Sequence, residues 1–311
     1  MARSSLPSSG QVPSGMSLSG LRRQRGLALL MAMLIVVIAT TVAVSILHEE
    51  KFTIRKSAHI QRMDRAALYA VGLEDWAQLY LREDRKDSKV DSLDENWAFG
   101  IPGLPIEGGF LSGYIEDEQA KFNLNSIVLS EIALNRFRRL CDNLEVDDQF
   151  IPALMDWIDE DLDIRYPDGM EDNYEDYRVA NREMADASEL LLVHNVTPEM
   201  YEKLQPHITA LPGTSTLNVN TLSEVIFLSL APDLDVSEFI QQREEEAFDS
   251  VDQFIERLKV PVEIEGLSVD TQFFRAHGQV VQGEQSFNLK SLIYRDKEGG
   301  TRVLNRTLGQ F

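Results

Sequence analysis

The chain has 311 residues with 30 Lys+Arg against 51 Asp+Glu, a formal net charge of −21. That balance argues against a nucleic-acid binder, because duplex binding relies on Lys and Arg to displace condensed counterions. A single cysteine, Cys141, excludes an intramolecular disulfide and a Cys-cluster metal site.

The charge is unevenly placed. Residues 1–26 hold Arg3, Arg22, Arg23 and Arg25 and no acid, and residues 27–47 are 21 positions without Asp, Glu, Lys or Arg. At 1.5 Å per residue such a helix reaches about 31 Å, the thickness of a bilayer core. Arginines just before it put the N-terminal end in the cytoplasm and the acidic remainder outside. The run is longer than the apolar part of a cleaved secretory signal. Residues 48–86 continue without proline, and Met63, Ala66, Ala70, Leu73, Ala77 and Tyr80 recur at steps of three and four. One continuous helix of about 55–60 residues is predicted, apolar in its first half and amphipathic in its second.

Further along, the Pro- and Gly-rich residues 101–109 predict a loop and residues 110–117 a strand. Phe122-Asn-Leu-Asn-Ser is echoed by Leu217-Asn-Val-Asn-Thr, and each is expected to open a helix, over 126–140 and 221–230. Residues 150–158, 188–193 and 198–204 also read as helical. The stretch from Leu191 to Tyr201 resembles a helix-hairpin-helix turn. It is flanked by Glu189, Glu199 and Glu202 where phosphate-binding versions carry basic residues, so a packing motif is expected and no nucleic acid. After Val260-Pro261-Val262, residues 272–282, 285–294 and 301–307 alternate and are separated by glycine-containing turns. These three strands are expected to join 110–117 in one antiparallel sheet. The fold class is therefore α+β, a long N-terminal helix on a small antiparallel sheet with a helical domain inserted between strands.

Residues 156–176 contain ten carboxylates against one base, Arg165. Like charges so close repel unless a cation or solvent separates them, and hard oxygen donors in that number suit Ca²⁺. Asp159-x-Asp161-x-Asp163 imitates the start of an EF-hand, but Ile164 stands where its glycine belongs and Met170 where its glutamate belongs. A solvated acidic face is the alternative. No catalytic constellation emerges. The five histidines are scattered, the glycine and nucleophile motifs of common enzymes are missing, and Asp156 with Asp159 is a weak acid/base pair.

Arg-Gln-Arg-Gly followed by Leu-Ala-Leu-Leu resembles a type IV prepilin peptidase site, cut after Gly26 so that Leu27 becomes the new N-terminus. Met1 and Met16 as start would give the same mature chain. The basic leader and the helix continuing past the apolar run resemble type IV pilins and type II secretion pseudopilins. Those subunits usually carry Glu at the fifth mature position, where this chain has Met31. Lack of that Glu resembles the K-subunit family of the type II secretion pseudopilus, whose large members cap its tip, and so does the Glu118-Gln-Ala-Lys-Phe-Asn segment leading into two echoing helical units.

That resemblance implies a leader (1–26), a membrane segment (27–47), a pilin-like part (48–118 and 260–311) and an inserted helical domain (119–259). It implies an inner-membrane, single-pass protein with a periplasmic body. Its partners would be I- and J-type minor pseudopilins, the major pseudopilin and the prepilin peptidase. It also implies calcium in the acidic loop, with Asp159, Asp161, Glu171 and Asp172 as ligands and Asp156 and Asp163 next. The stripe Met63, Ala66, Ala70 and Leu73 is expected to receive partner helices, since small residues allow close approach. Two other functions fit parts of the pattern, a minor pilin of a type IV pilus or competence system and a membrane-anchored calcium-dependent hydrolase.

Overall fold

The computed structural model describes residues 19–171, 174–175, 177–231, 236–259, 262–283 and 285–309. The chain divides into two compact units between Arg62 and Met63. Helix α1 (Ser19–Asp87) has 69 residues, longer than the periodicity suggested because it begins upstream of the apolar run. Within that run the Thr40 and Thr41 hydroxyls donate back to the Val36 and Val37 carbonyls at 2.7–2.9 Å. Their polarity is thereby absorbed inside the helix, as a hydrocarbon surrounding requires.

From Met63 onward α1 belongs to the second unit. After it come strands β1 (Ile101–Ile106) and β2 (Gly109–Asp117). β1 corrects the loop expected over 101–109. It is an edge strand pairing only with β2, with a bulge between Ile101 and Leu104, so Pro102 and Pro105 need donate nothing to a neighbour on its open side. Gly108, at φ 81°, makes the hairpin turn.

The helical part then runs through β3 (Phe122–Asn123), α2 (Glu131–Asn143), α3 (Ile151–Ile158), α4 (Pro198–Leu204) and β4 (Ile208–Thr209). Its second half comprises β5 (Leu217–Asn218), α5 (Glu224–Leu230), α6 (Val236–Glu245), α7 (Val251–Leu258) and β6 (Leu267–Ser268). The stretch read as a helix over 188–193 is a 3-10 segment, Ala187–Leu192. Three long strands close the chain: β7 (Phe273–Gln282), β8 (Gln285–Arg295) and β9 (Thr301–Gly309). The sheet order is β1-β2-β7-β8-β9, antiparallel at every pairing.

The domain boundary expected at 260 falls later. Glu263 and Glu265 carbonyls accept from the Arg136 guanidinium at 2.6 and 2.8 Å, and Leu267 lies in the helical core, so the helical part extends at least to Leu267. Of the two echoed asparagine motifs, the first caps a 3-10 turn, Leu124–Val128, where Asn123 accepts from the Asn125 N–H at 3.2 Å, but neither caps the α-helix that comes after it. Ser130 caps α2 at the Ala133 N–H, and Ser223 caps α5 at the Ile226 N–H. Instead each motif forms a short parallel bridge, β3 with β4 and β5 with β6. The second asparagine of each then clasps the backbone of one distant residue. Asn125 accepts from the Met184 N–H and donates to the Met184 carbonyl at 2.8 and 3.0 Å. Asn220 does the same to Phe248 at 2.8 and 3.0 Å.

Two apolar regions result. The helical part buries Phe137, Phe150, Phe227, Phe239, Phe248 and Phe254 in one core, where burial also pushes the Cys141 thiol up to about 12. On the sheet, α1 lays Ala66, Ala70, Leu73, Ala77 and Leu81 against Leu111, Ile115, Val280, Leu289 and Ile293.

Candidate functional site: the acidic loop and the face of the long helix

Asp156 lies on the buried side of α3, fully inaccessible. Its carboxylate accepts from the backbone N–H groups of Arg165 and Met170 at 3.3 and 3.0 Å and from the Arg165 guanidinium at 3.1 Å. The loop after α3 is thereby folded back on the helix. Gly169 completes the closure, because a Cβ there would stand 2.3 Å from both the Asp156 carboxylate and the Arg165 carbonyl.

Around this closure Asp159, Asp161 and Glu171 bring one carboxylate oxygen each to within 4.8 Å of one another. Glu171 is buried, and Asp159 Oδ1 is buried without a hydrogen-bond partner. The other Asp159 oxygen pairs with Arg165. Asp161 is held at its backbone, where its carbonyl accepts from Asn181 Nδ2 at 3.0 Å, while Oδ1 accepts from the Asp163 N–H at 2.8 Å. Three of the six expected ligands therefore converge. Asp156 is occupied with closing the loop, Asp163 is exposed and contributes its backbone, and Asp172 lies outside the described residues. The convergent donors are all hard oxygens, one of them buried and unbonded, and that set fits Ca²⁺. Nothing in the spacing of Asn181 marked it as a support for Asp161; only the folded loop brings it there.

The stripe Met63, Ala66, Ala70 and Leu73 does not face outward. Ala66, Ala70 and Leu73 are 5%, 0% and 4% exposed, and all four pack on this chain's own sheet. The small side chains do permit close approach, but of helix to sheet. Leu73 sits over two glycines, and a Cβ at Gly113 or Gly278 would stand 3.1 or 2.7 Å from its methyls. On the opposite side of α1, Leu68 and Leu79 are 72% and 55% exposed, with Gly72 open between them.

In the first unit, Gly26 and Leu27 lie inside α1. A Cβ at Gly26 would meet nothing within 4 Å, and Leu27 is exposed, as are Met31 and the large apolar side chains of the run after it. The helix is long and apolar enough to cross a membrane.

A helix long and apolar enough to cross a membrane, and a body in which that helix's continuation packs on an antiparallel sheet, define the class as a pilin-like subunit. A family model described as type II secretion system (T2SS), protein K, matches residues 120–213. The chain is 31% identical to type II secretion system protein K of Pseudomonas aeruginosa, over 93% of this chain and 94% of that one. It is also 31% identical to the protein of that name from Pectobacterium carotovorum subsp. carotovorum, over 93% and 98%. Among solved structures it is similar to a chain of the GspK-GspI-GspJ complex from enterotoxigenic Escherichia coli, with TM-score 0.76 and 27% identity, covering 82% of this chain and all of that one. The chain belongs to the type II secretion system protein K family, and its role is that of a minor pseudopilin in type II secretion.

Proposed function

We propose that this subunit caps the tip of the periplasmic pseudopilus, held by its N-terminal helix in the inner membrane with the acidic body on the periplasmic side. The observation that carries the tip placement is Met31. Counted from Leu27, it occupies the fifth position, so this chain offers no carboxylate to the amine of a subunit above it. A tip subunit needs none, and an unpaired carboxylate in lipid costs several kcal/mol. The solved relative was captured with GspI and GspJ, which supports I- and J-type subunits as the partners here. Their contact on the body is assigned to the open row Leu68, Gly72 and Leu79. The role is one of assembly, with no catalytic step.

Crosslinking from Leu68 or Leu79 in assembled machinery should capture I- and J-type partners. Capture of the major pseudopilin alone, along the shaft, would sink the tip placement. N-terminal sequencing of the membrane form should begin at Leu27.

The acidic loop is proposed to hold Ca²⁺ through Asp159, Asp161 and Glu171, with Asp172 the fourth carboxylate in reach along the chain. The ion would supply the positive charge that this loop lacks. Asp156 and Gly169 close the loop around that site.

A further inference from the structure

At the end of β2, where the chain leaves the sheet for the helical part, Asp117 is buried with no cation in contact among the described residues. Its Oδ1 accepts from the Gln119 N–H at 2.7 Å. Oδ2 accepts from three side chains, Asn218 Nδ2 at 3.0 Å, the Thr221 hydroxyl at 2.7 Å and the Thr271 hydroxyl at 2.6 Å. Asn218 and Thr221 belong to the helical part, and Thr271 lies just before β7 of the sheet. One carboxylate therefore joins the two parts of the body.

Its surroundings are short of positive charge. Asp91, from the loop after α1, is also buried. It receives the Thr271 N–H at 2.7 Å on its carboxylate, and Asn218 Nδ2 at 2.9 Å on its carbonyl. Behind it stand Asp84 on α1 and Glu95 from the same loop. The one guanidinium among them, Arg295 on β8, is taken up by Asp91 at 2.5 Å and Asp84 at 3.0 Å. In sequence Asp117 is flanked by Glu116, which contacts Lys121 at 2.9 Å and His277 at 3.1 Å, and by Glu118, which pairs with Arg275 at 2.7 Å and Lys121 at 3.3 Å. The two side chains that the helical part bonds to Asp117, Asn218 and Thr221, are neutral. The half-buried Asp84 and the buried Asp91 thus occupy the one cation, and the buried Asp117 has none.

We infer that this junction is a proton-operated clamp: uptake of one proton at Asp117 tightens the helical part on the sheet, and loss of that proton loosens it. A charged, unpaired Asp117 is better solvated when the junction opens, so ionisation favours the open form. The proton has somewhere to point, because the Thr221 hydroxyl can accept it and turn its own hydrogen to the Asn218 carbonyl 3.3 Å away. In the same sense, burial pushes the Asp117 carboxyl up to about 6, prevailing over the hydrogen bonds from Thr271, Thr221 and Asn218, with the nearby Asp91 acting in the direction of burial.

The sign follows by linkage. A carboxyl held above its ordinary value favours the closed form when protonated, and that favour is lost as pH rises from 3.8 through about 6. Between pH 5 and pH 7 the opening equilibrium should change by about tenfold. Hydrogen exchange of the full chain in detergent tests this at the Gln119 and Thr221 amides, corrected for intrinsic rates. Their protection should rise about tenfold from pH 7 to pH 5. Asp117→Asn should abolish the change, while Asp84→Asn retains it. Protection that is flat with pH, or a dependence that survives Asp117→Asn, overturns the clamp. Should Asp117→Asn not fold, a carbon NMR titration of wild-type Asp117 decides instead, an apparent pKa well above 3.8 supporting the clamp and one at or below it overturning it.

Discussion

Asn125 and Asn220 each hold the backbone of one buried residue, Met184 or Phe248, by its N–H and its C=O together, and among the described residues no other side chain bonds those groups. Replacing either with alanine strands two buried polar groups, at roughly 1–3 kcal/mol for each group left unmet. Urea unfolding should therefore show Asn125→Ala and Asn220→Ala destabilised by about 2–4 kcal/mol each, with unchanged m-values. A second residue-scale test lies under α1. Gly278→Ala puts a methyl 2.7 Å from Leu73 Cδ1 and should cost about 1–3 kcal/mol. Leu73→Ala alone opens a cavity at about 2–5 kcal/mol. Combined, the two should cost clearly less than their sum, since each supplies what the other removes. Strict additivity would show that Leu73 does not press on the sheet there.

At the scale of elements, α1 is fastened to the sheet by charge as well as by alanine and leucine. Glu74, buried on α1, accepts from the Ser291 hydroxyl at 2.5 Å and pairs with Arg306 on β9, which hold its carboxyl below the ordinary range against the cost of burial. Further along the same helix, burial and then Glu95 and Asp91 push Asp84 up to about 6 despite Arg295. On the other side of the sheet Glu116 is held at about 2: burial alone would raise it, but the hydrogen bond to His277 and then Lys121 prevail. These carboxyls act in opposite directions. The stability from Asp84 is present below 3.8 and lost as pH rises through about 6, whereas that from Glu116 is present above 4.5 and lost as pH falls toward 2. Thermal unfolding should accordingly peak near pH 5, lower at pH 7.5 and lower again below pH 4. A melting temperature that rises steadily from pH 5 to pH 8 would contradict this balance.

For the molecule as a whole, the acidic loop joins the charge balance to the stability of the helical part. It closes on α3 through Asp156, and α3 contributes Ile151, Leu154, Trp157 and Ile158 to the helical core. Calcium bound at Asp159, Asp161 and Glu171 would stabilise that core by mass action, about 2.7 kcal/mol at a hundredfold excess over Kd. Adding a chelator to the full chain should lower its melting temperature by several degrees, and Asp161→Asn should remove most of that difference. Asp163→Asn should leave it nearly intact, because only the Asp163 backbone enters the loop's bonding. Equal losses from both variants would mean that a general acidic field, and not this cluster, sets the response.

What the sequence determined by itself is what repeats locally. The uncharged run, the absence of proline and the three-and-four spacing are read along a single helix, so α1 and its apolar face were legible, as were the three C-terminal strands and the composition of the acidic loop. What only the tertiary structure decided is which partner each face meets. A stripe of small residues suits a neighbouring helix and a sheet equally well, and the glycines that claim it, Gly113 and Gly278, lie 40 or more residues away in the chain. Pro102 and Pro105 read as a loop until the sheet places their strand at its edge, where a missing N–H costs nothing. The asparagine echo was visible as a pattern, but its purpose depended on Met184 and Phe248, brought close only by folding. The same holds at Asp117, because a carboxylate's environment is set by long-range burial and by a distant arginine's prior commitments, neither of which has a local signature.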